Sequence, residues 1–139
     1  MNNTARGSEY GIWISNSDNN SVSQSLVEEN VDGIEVAGDS FGNTFTNDVS
    51  RNNTDWDFVS EGNAADNPVT NLDIGASTAP DTTLSFEAEN VTLRSANSPP
   101  SDPAGAQNIG RYFEAESLSL DGYLDVSVQR TTTPVTSVQ

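Results

Sequence analysis

The chain has no cysteine, no histidine and no lysine, and its single methionine is Met1. Without cysteine there are no disulfides and no thiolate metal sites. Without histidine there is no imidazole acid–base catalysis, no serine–histidine–aspartate triad, and almost no route to a zinc or copper site. Only Arg6, Arg51, Arg94, Arg111 and Arg130 carry positive side chains, against 21 Asp and Glu, for a net charge of −16 over 139 residues. Such a surface repels nucleic acid and anionic membranes. No stretch approaches the ~20 apolar residues of a membrane span. The first residues, Met1 to Arg6, lack the apolar region of a signal peptide, and no apolar period of helical spacing persists over several turns.

The length admits one domain or two small ones. The acidity fits either an acidic interaction region or adaptation to high salt, where carboxylates hold water and ions and salt screens their repulsion. Its even spread along a lysine-free chain favours the second. Low salt is then expected to leave the chain poorly folded.

A repeat organises residues 11–58. One copy runs Gly11-Ile12-Trp13-Ile14, Asn20-Ser21-Val22, Leu26 and Asn30; the next runs Gly33-Ile34-Glu35-Val36, Asn43-Thr44-Phe45, Val49 and Asn53. Trp56-Asp57-Phe58 opens a third. The alternating apolar pairs predict short strands with one buried face, and the Gly, Asn, Asp and Ser between them predict turns. A strand–turn unit recurring every 20-odd residues predicts a solenoid, with Ile12 over Ile34 and Trp56, and Ile14 over Val36 and Phe58. The second copy carries one extra residue, placed in the Gly38–Gly42 turn. Asn20 with Asn43, and Asn30 with Asn53, repeat in phase with the apolar residues. They are expected at tight corners, where Asn tolerates positive φ, and as side-chain ladders between coils.

This pattern resembles the repeats of right-handed parallel β-helix proteins, and within them the NosD-type repeats of archaeal surface proteins. The resemblance spans about residues 1–75. It implies an all-β fold: a short right-handed parallel β-helix of about three coils. It says less of activity, since the same scaffold carries sugar lyases, epimerases, adhesins and assembly factors. NosD-type proteins are often labelled copper-associated; with no His, no Cys and only Met1, that label does not carry over.

Along the chain, residues 1–75 read as the β-helix coils, with Val69, Leu72 and Ile74 completing the last one. Residues 76–82 read as a linker. Residues 83–129 read as a few antiparallel, β-sandwich-like strands: one over Thr83–Leu93 with a bulge near Glu89-Asn90, then Ile109–Ala115 and Tyr123–Val128 around a turn at Asp121-Gly122. The Gly110-Arg111-Tyr112 segment is similar to one that follows the β-helix in some archaeal surface proteins. These strands are too few to close a sandwich and need another surface to pack on. Residues 130–139 read as a flexible tail.

The candidate sites are few. Trp13 alternates with inward residues, faces outward, and is a candidate carbohydrate platform; packing against a neighbouring loop or partner is the plainer reading. Glu35, Asp55 and Asp57 are candidate oxygen ligands for Ca2+ on the outer face. With Arg51 they resemble the Ca2+-and-arginine site of polysaccharide lyases on this scaffold. Glu28-Glu29 reads as a solvated corner. Sequons at Asn2, Asn19, Asn52 and Asn90 are candidate glycosylation sites.

The expectation is a non-catalytic scaffold or adhesion module of a halophile, at the cell surface or outside the cell. Its partners would be a glycan or a surface-layer protein, with end-to-end self-association through exposed coils. The alternative is a fragment of a lyase or epimerase using Ca2+ and acidic residues. A surface protein without a signal peptide suggests a fragment or truncated product.

Overall fold

The computed structural model describes residues 3–76, 79–96 and 113–128. Asn2, Gly110-Arg111-Tyr112 and the 130–139 tail lie outside them. All regular elements among the described residues are strands.

About three coils form a parallel β-solenoid. Thr4–Arg6 (β1) precedes them. The first coil holds Tyr10–Ser15 (β2), Ser21–Ser23 (β3) and Leu26–Glu28 (β4), and the second Asp32–Ala37 (β5), Thr44–Thr46 (β6) and Val49–Arg51 (β7). The third holds Trp56–Ser60 (β8) and the longer Val69–Ala76 (β9), which pairs in parallel with both β6 and β7. One sheet runs β2–β5–β8; the other contains β1–β4–β7–β9, with β3 and β6 alongside.

Four corners turn each coil, and each needs positive φ. They stack as four columns of three: Gly7, Glu29, Asn52; Asn16, Gly38, Gly62; Asn19, Gly42, Asp66; and Gln24, Asn47, Asn71, with φ from 49° to 72°. Left-handed backbone costs an ordinary residue about 1–2 kcal/mol and costs Gly, Asn and Asp less. This explains the corner composition and makes Gln24 and Glu29 the exceptions. Asn16 and Asn19 are three apart where Gly38 and Gly42 are four apart, so the extra residue of the second coil sits in the turn expected for it.

The corner asparagines are not the ladder asparagines. Asn20 donates its backbone N–H and its side-chain amide to Oδ1 of Asn43, each at 2.9 Å. Asn43 does the same to Asn67 at 2.9 and 3.0 Å, and its Nδ2 also reaches the Ser17 carbonyl. Asn30 repeats the pattern on Asn53. One residue of each Asn pair makes the bend, and its neighbour ties one coil to the next.

The core columns differ from expectation in the third coil. Ile12 stands over Ile34 and then Phe58, and Tyr10 over Asp32 and then Trp56. The expected order, which put Trp56 under Ile34, is two residues out. A slip of two keeps every side chain on its face, so alternation cannot detect it. Phe58 is buried and meets Phe45 and Phe86 edge-to-face at 5.9 and 5.0 Å. Gly33 has no room for a Cβ, which would lie 2.0 Å from Ser50 Oγ. This accounts for the glycine that opens the motif.

The later strands pack on the solenoid. Ala79–Glu89 (β10) pairs antiparallel with β9, and Val91–Ser95 (β11) antiparallel with β8. Asn90, at φ 52°, is therefore a corner from one sheet to the other, not a bulge within one strand. Phe113–Ser117 (β12) and Tyr123–Val128 (β13) add one more antiparallel strand to each sheet. Leu84, Phe86, Ala88, Val91 and Leu93 join the buried core. The two sheets thus continue past the last coil with their direction reversed. Of the segment read as a linker, Ala76 lies in β9 and 79–82 in β10.

Replacing Asn43 by Ala removes the partner of the Asn20 backbone N–H and of the Ser17 carbonyl and empties a fully buried site. It should cost about 2–4 kcal/mol in equilibrium urea unfolding. Asn47→Gly, at a corner with φ 54°, should stay within about 0.5 kcal/mol of the native chain.

Candidate functional site

The outer rim of the β2–β5–β8 sheet carries the exposed aromatic group. Trp13 is 60 % exposed. Its ring stacks on Tyr10 with centroids 5.5 Å apart and planes 23° apart. Parallel register places Trp13 beside Glu35, and Glu35 beside Val59. Four carboxylates belong to the same neighbourhood. Glu35 feels Glu61, Asp32 and Glu9, and Tyr10 feels Glu35, Glu9 and Asp32.

This crowding shows in the acidities. Burial is the main cause that pushes Glu35 up to about 7; repulsion from Glu61, Asp32 and Glu9 adds to it, and a hydrogen bond from Trp13 opposes it. Burial also raises Asp32, with Asp55, Glu61 and Glu9 adding, against the Trp56 N–H that its carboxylate accepts.

Asp57 lies elsewhere. It is buried in the corner that ends the Asn30–Asn53 column, where it accepts bonds from Asn53 Nδ2 at 2.9 Å and from the Ser95 N–H at 3.1 Å. Burial pushes it up to about 6 against those two donors. Asp55 is exposed at the strand entrance. Asp57 is thus not on an outer face with Glu35, and among the described residues no three of His, Cys, Asp and Glu gather closely enough to hold a metal ion.

Glu28 is not a solvated corner. It is buried, paired with Arg6 on one side and with Arg51 at 3.1 Å on the other, because parallel register stacks Arg6, Glu28 and Arg51 in one row. Only Glu29 is exposed. Arg51, the cation of a lyase-like site, is engaged in this row. Arg94 lies over the Trp56 ring at 4.6 Å and bonds Glu114 at 2.8 Å.

Asn19, Asn52 and Asn90 all occupy positive-φ positions. A corner Asn followed by a ladder Asn and then a Ser or Thr spells a sequon; Ser21 opens β3 after Asn19-Asn20, and Thr54 follows Asn52-Asn53 in the approach to β8. Thr92, of the Asn90 sequon, is buried. The sequence reading missed Tyr10 and Glu61 in the Trp13 neighbourhood. Tyr10, directly ahead of the predicted Gly11–Ile14 strand and part of β2 in the structure, was the available signal; Glu61 lies past the end of β8 and needed the register.

A family model described as "Periplasmic copper-binding protein (NosD)" matches residues 1–98. No curated protein and no solved structure matches the chain. Copper sites draw on imidazole, thiolate and thioether donors. With no His, no Cys and only Met1, the donors of this chain do not fit that metal.

The raised carboxyls fix a sign for pH dependence. Glu35 and Asp57 bind protons more tightly folded than unfolded, so their contribution favours folding at acid pH and is lost as pH rises from about 4–5 through about 6–7. At fixed salt, the melting temperature should fall by roughly 5–10 °C between pH 5 and pH 8. A Glu35→Gln variant should show a shallower fall in the same differential scanning calorimetry series. An unchanged slope would remove Glu35 from this account.

Proposed function

The chain belongs to the NosD family, and from that premise we propose that it is a non-catalytic β-helix binding module, periplasmic or extracellular, that takes a glycan on the Tyr10–Trp13 rim. The observation that carries this reading is the Trp13 ring, 60 % exposed on a strand whose neighbouring side chains Ile12 and Ile14 pack on or into the core. A large ring held in water by a stacked partner costs apolar exposure, and the flat C–H face of a sugar ring covers such a surface well. The carboxylates alongside can accept hydrogen bonds from sugar hydroxyls. The lysine-free surface of net charge −16 supports a working environment rich in salt.

Isothermal titration against a panel of oligosaccharides tests the reading. At least one should bind, and Trp13→Ala should weaken it at least about tenfold with the far-UV circular dichroism unchanged. Native-like binding by the variant, or no binding anywhere in the panel, would contradict it.

A further inference from the structure

We propose that the Tyr10–Trp13 rim selects sugar chains bearing free ammonium groups, that is, hexosamine chains that are not acetylated. This rests on the glycan reading above and names the class of chain within it.

The charge around the platform has one sign. Asp32 stands beside Tyr10 and Glu35 beside Trp13 in register; the Asp32 N–H bonds the Glu9 carbonyl at 2.9 Å, and the Glu61 N–H bonds the carbonyl of Val36, next to Glu35, at 3.0 Å. The described arginines are engaged elsewhere: Arg6 and Arg51 hold Glu28, and Arg94 holds Glu114 against the Trp56 ring. The chain has no lysine. Among the described residues each arginine thus serves another carboxylate, and a ligand can neutralise the negative field of the rim.

The aromatic pair makes that ligand a sugar rather than any cation. A pyranose ring can lie on the exposed Trp13 face, and an ammonium group on it then meets both the edge of the aromatic surface and the exposed carboxylates of Glu9 and Glu61. A cation over an indole face is attracted by the ring quadrupole, and a direct ammonium–carboxylate contact adds a charge-assisted hydrogen bond. A uronic acid chain would bring another negative group into the same space. A neutral or acetylated chain keeps the stacking and loses the charge term.

The incoming ammonium also relieves the repulsion that Glu35 bears from its three neighbours. Close contact lets part of this attraction persist in salt that screens longer-range forces.

The test uses the full chain at about pH 5.5, where a sugar amine carries its proton, in the lowest KCl that preserves the native circular dichroism. Titrations with a glucosamine hexamer, its fully N-acetylated counterpart, a galacturonate hexamer and hexalysine are compared. The free-amine sugar should bind at least about tenfold tighter than the acetylated one, with no detectable binding of the galacturonate. Glu61→Gln, at an exposed position, should shrink the preference for the free-amine sugar about threefold with the circular dichroism unchanged.

Equal affinity for free and acetylated sugars would overturn the inference and leave the glycan reading standing. No binding of any sugar would end both. Hexalysine binding as tightly as the glucosamine hexamer, with Trp13→Ala affecting neither, would replace the sugar site by plain charge attraction.

Discussion

The structure depends on stacking coils in register, and the Asn20–Asn43–Asn67 ladder is where that register is enforced. Each Oδ1 accepts both the backbone N–H and the side-chain amide of the residue one coil before it. Asn43 and Asn67 are buried. A coil one residue too long would leave the buried Asn43 donors unpaired out of water, at a cost of about 1–3 kcal/mol each. The ladder steps are 23 and then 24 residues, so coil length varies only where a turn can absorb it. Everything on the outer surface inherits its position from this constraint.

The rim around Trp13 is one consequence. Register alone sets Trp13 against Glu35, though the two are far apart in sequence. The same logic accounts for Arg6, Glu28 and Arg51. There a row of alternating charges allows a carboxylate to be buried between two guanidinium groups. The buried Asp57 has no such row and relies on Asn53 and Ser95, and its proton affinity rises accordingly. The acids of this chain thus fall into different roles that composition cannot separate: Glu28 and Glu114 paired with arginines, Asp57 closing an asparagine column, and a group beside an aromatic pair.

Much of the fold was legible because the repeat writes it twice. The strand pairs, the ladder asparagines and the extra residue between Gly38 and Gly42 all follow from comparing the copies. The third coil was harder, since Trp56 and Phe58 could satisfy the alternation in two registers two residues apart. Packing chose the one that puts Phe58 between Phe45 and Phe86. The reversal after β9 had no repeat to announce it, and Asn90 looked like a bulge because positive φ serves both bulges and corners. At the site, Trp13 was legible from alternation. Glu35 and Asp57 looked alike in sequence, and both are buried; only the structure sets Glu35 beside Trp13 and Asp57 at the end of the Asn30–Asn53 column. Glu28 was misjudged because its partners lie one coil away on either side.

Hydrogen exchange of individual amides, followed by NMR in salt that keeps the chain folded, tests this account most directly. The backbone N–H groups of Asn20, Asn30 and Asn43 and the side-chain amides of Asn43 and Asn67 should be protected to nearly the same degree as the core strands, opening only when the solenoid does. Exchange of those groups at the rate of exposed asparagines, with the β-strands still protected, would show that the ladder does not hold the coils and would contradict the account.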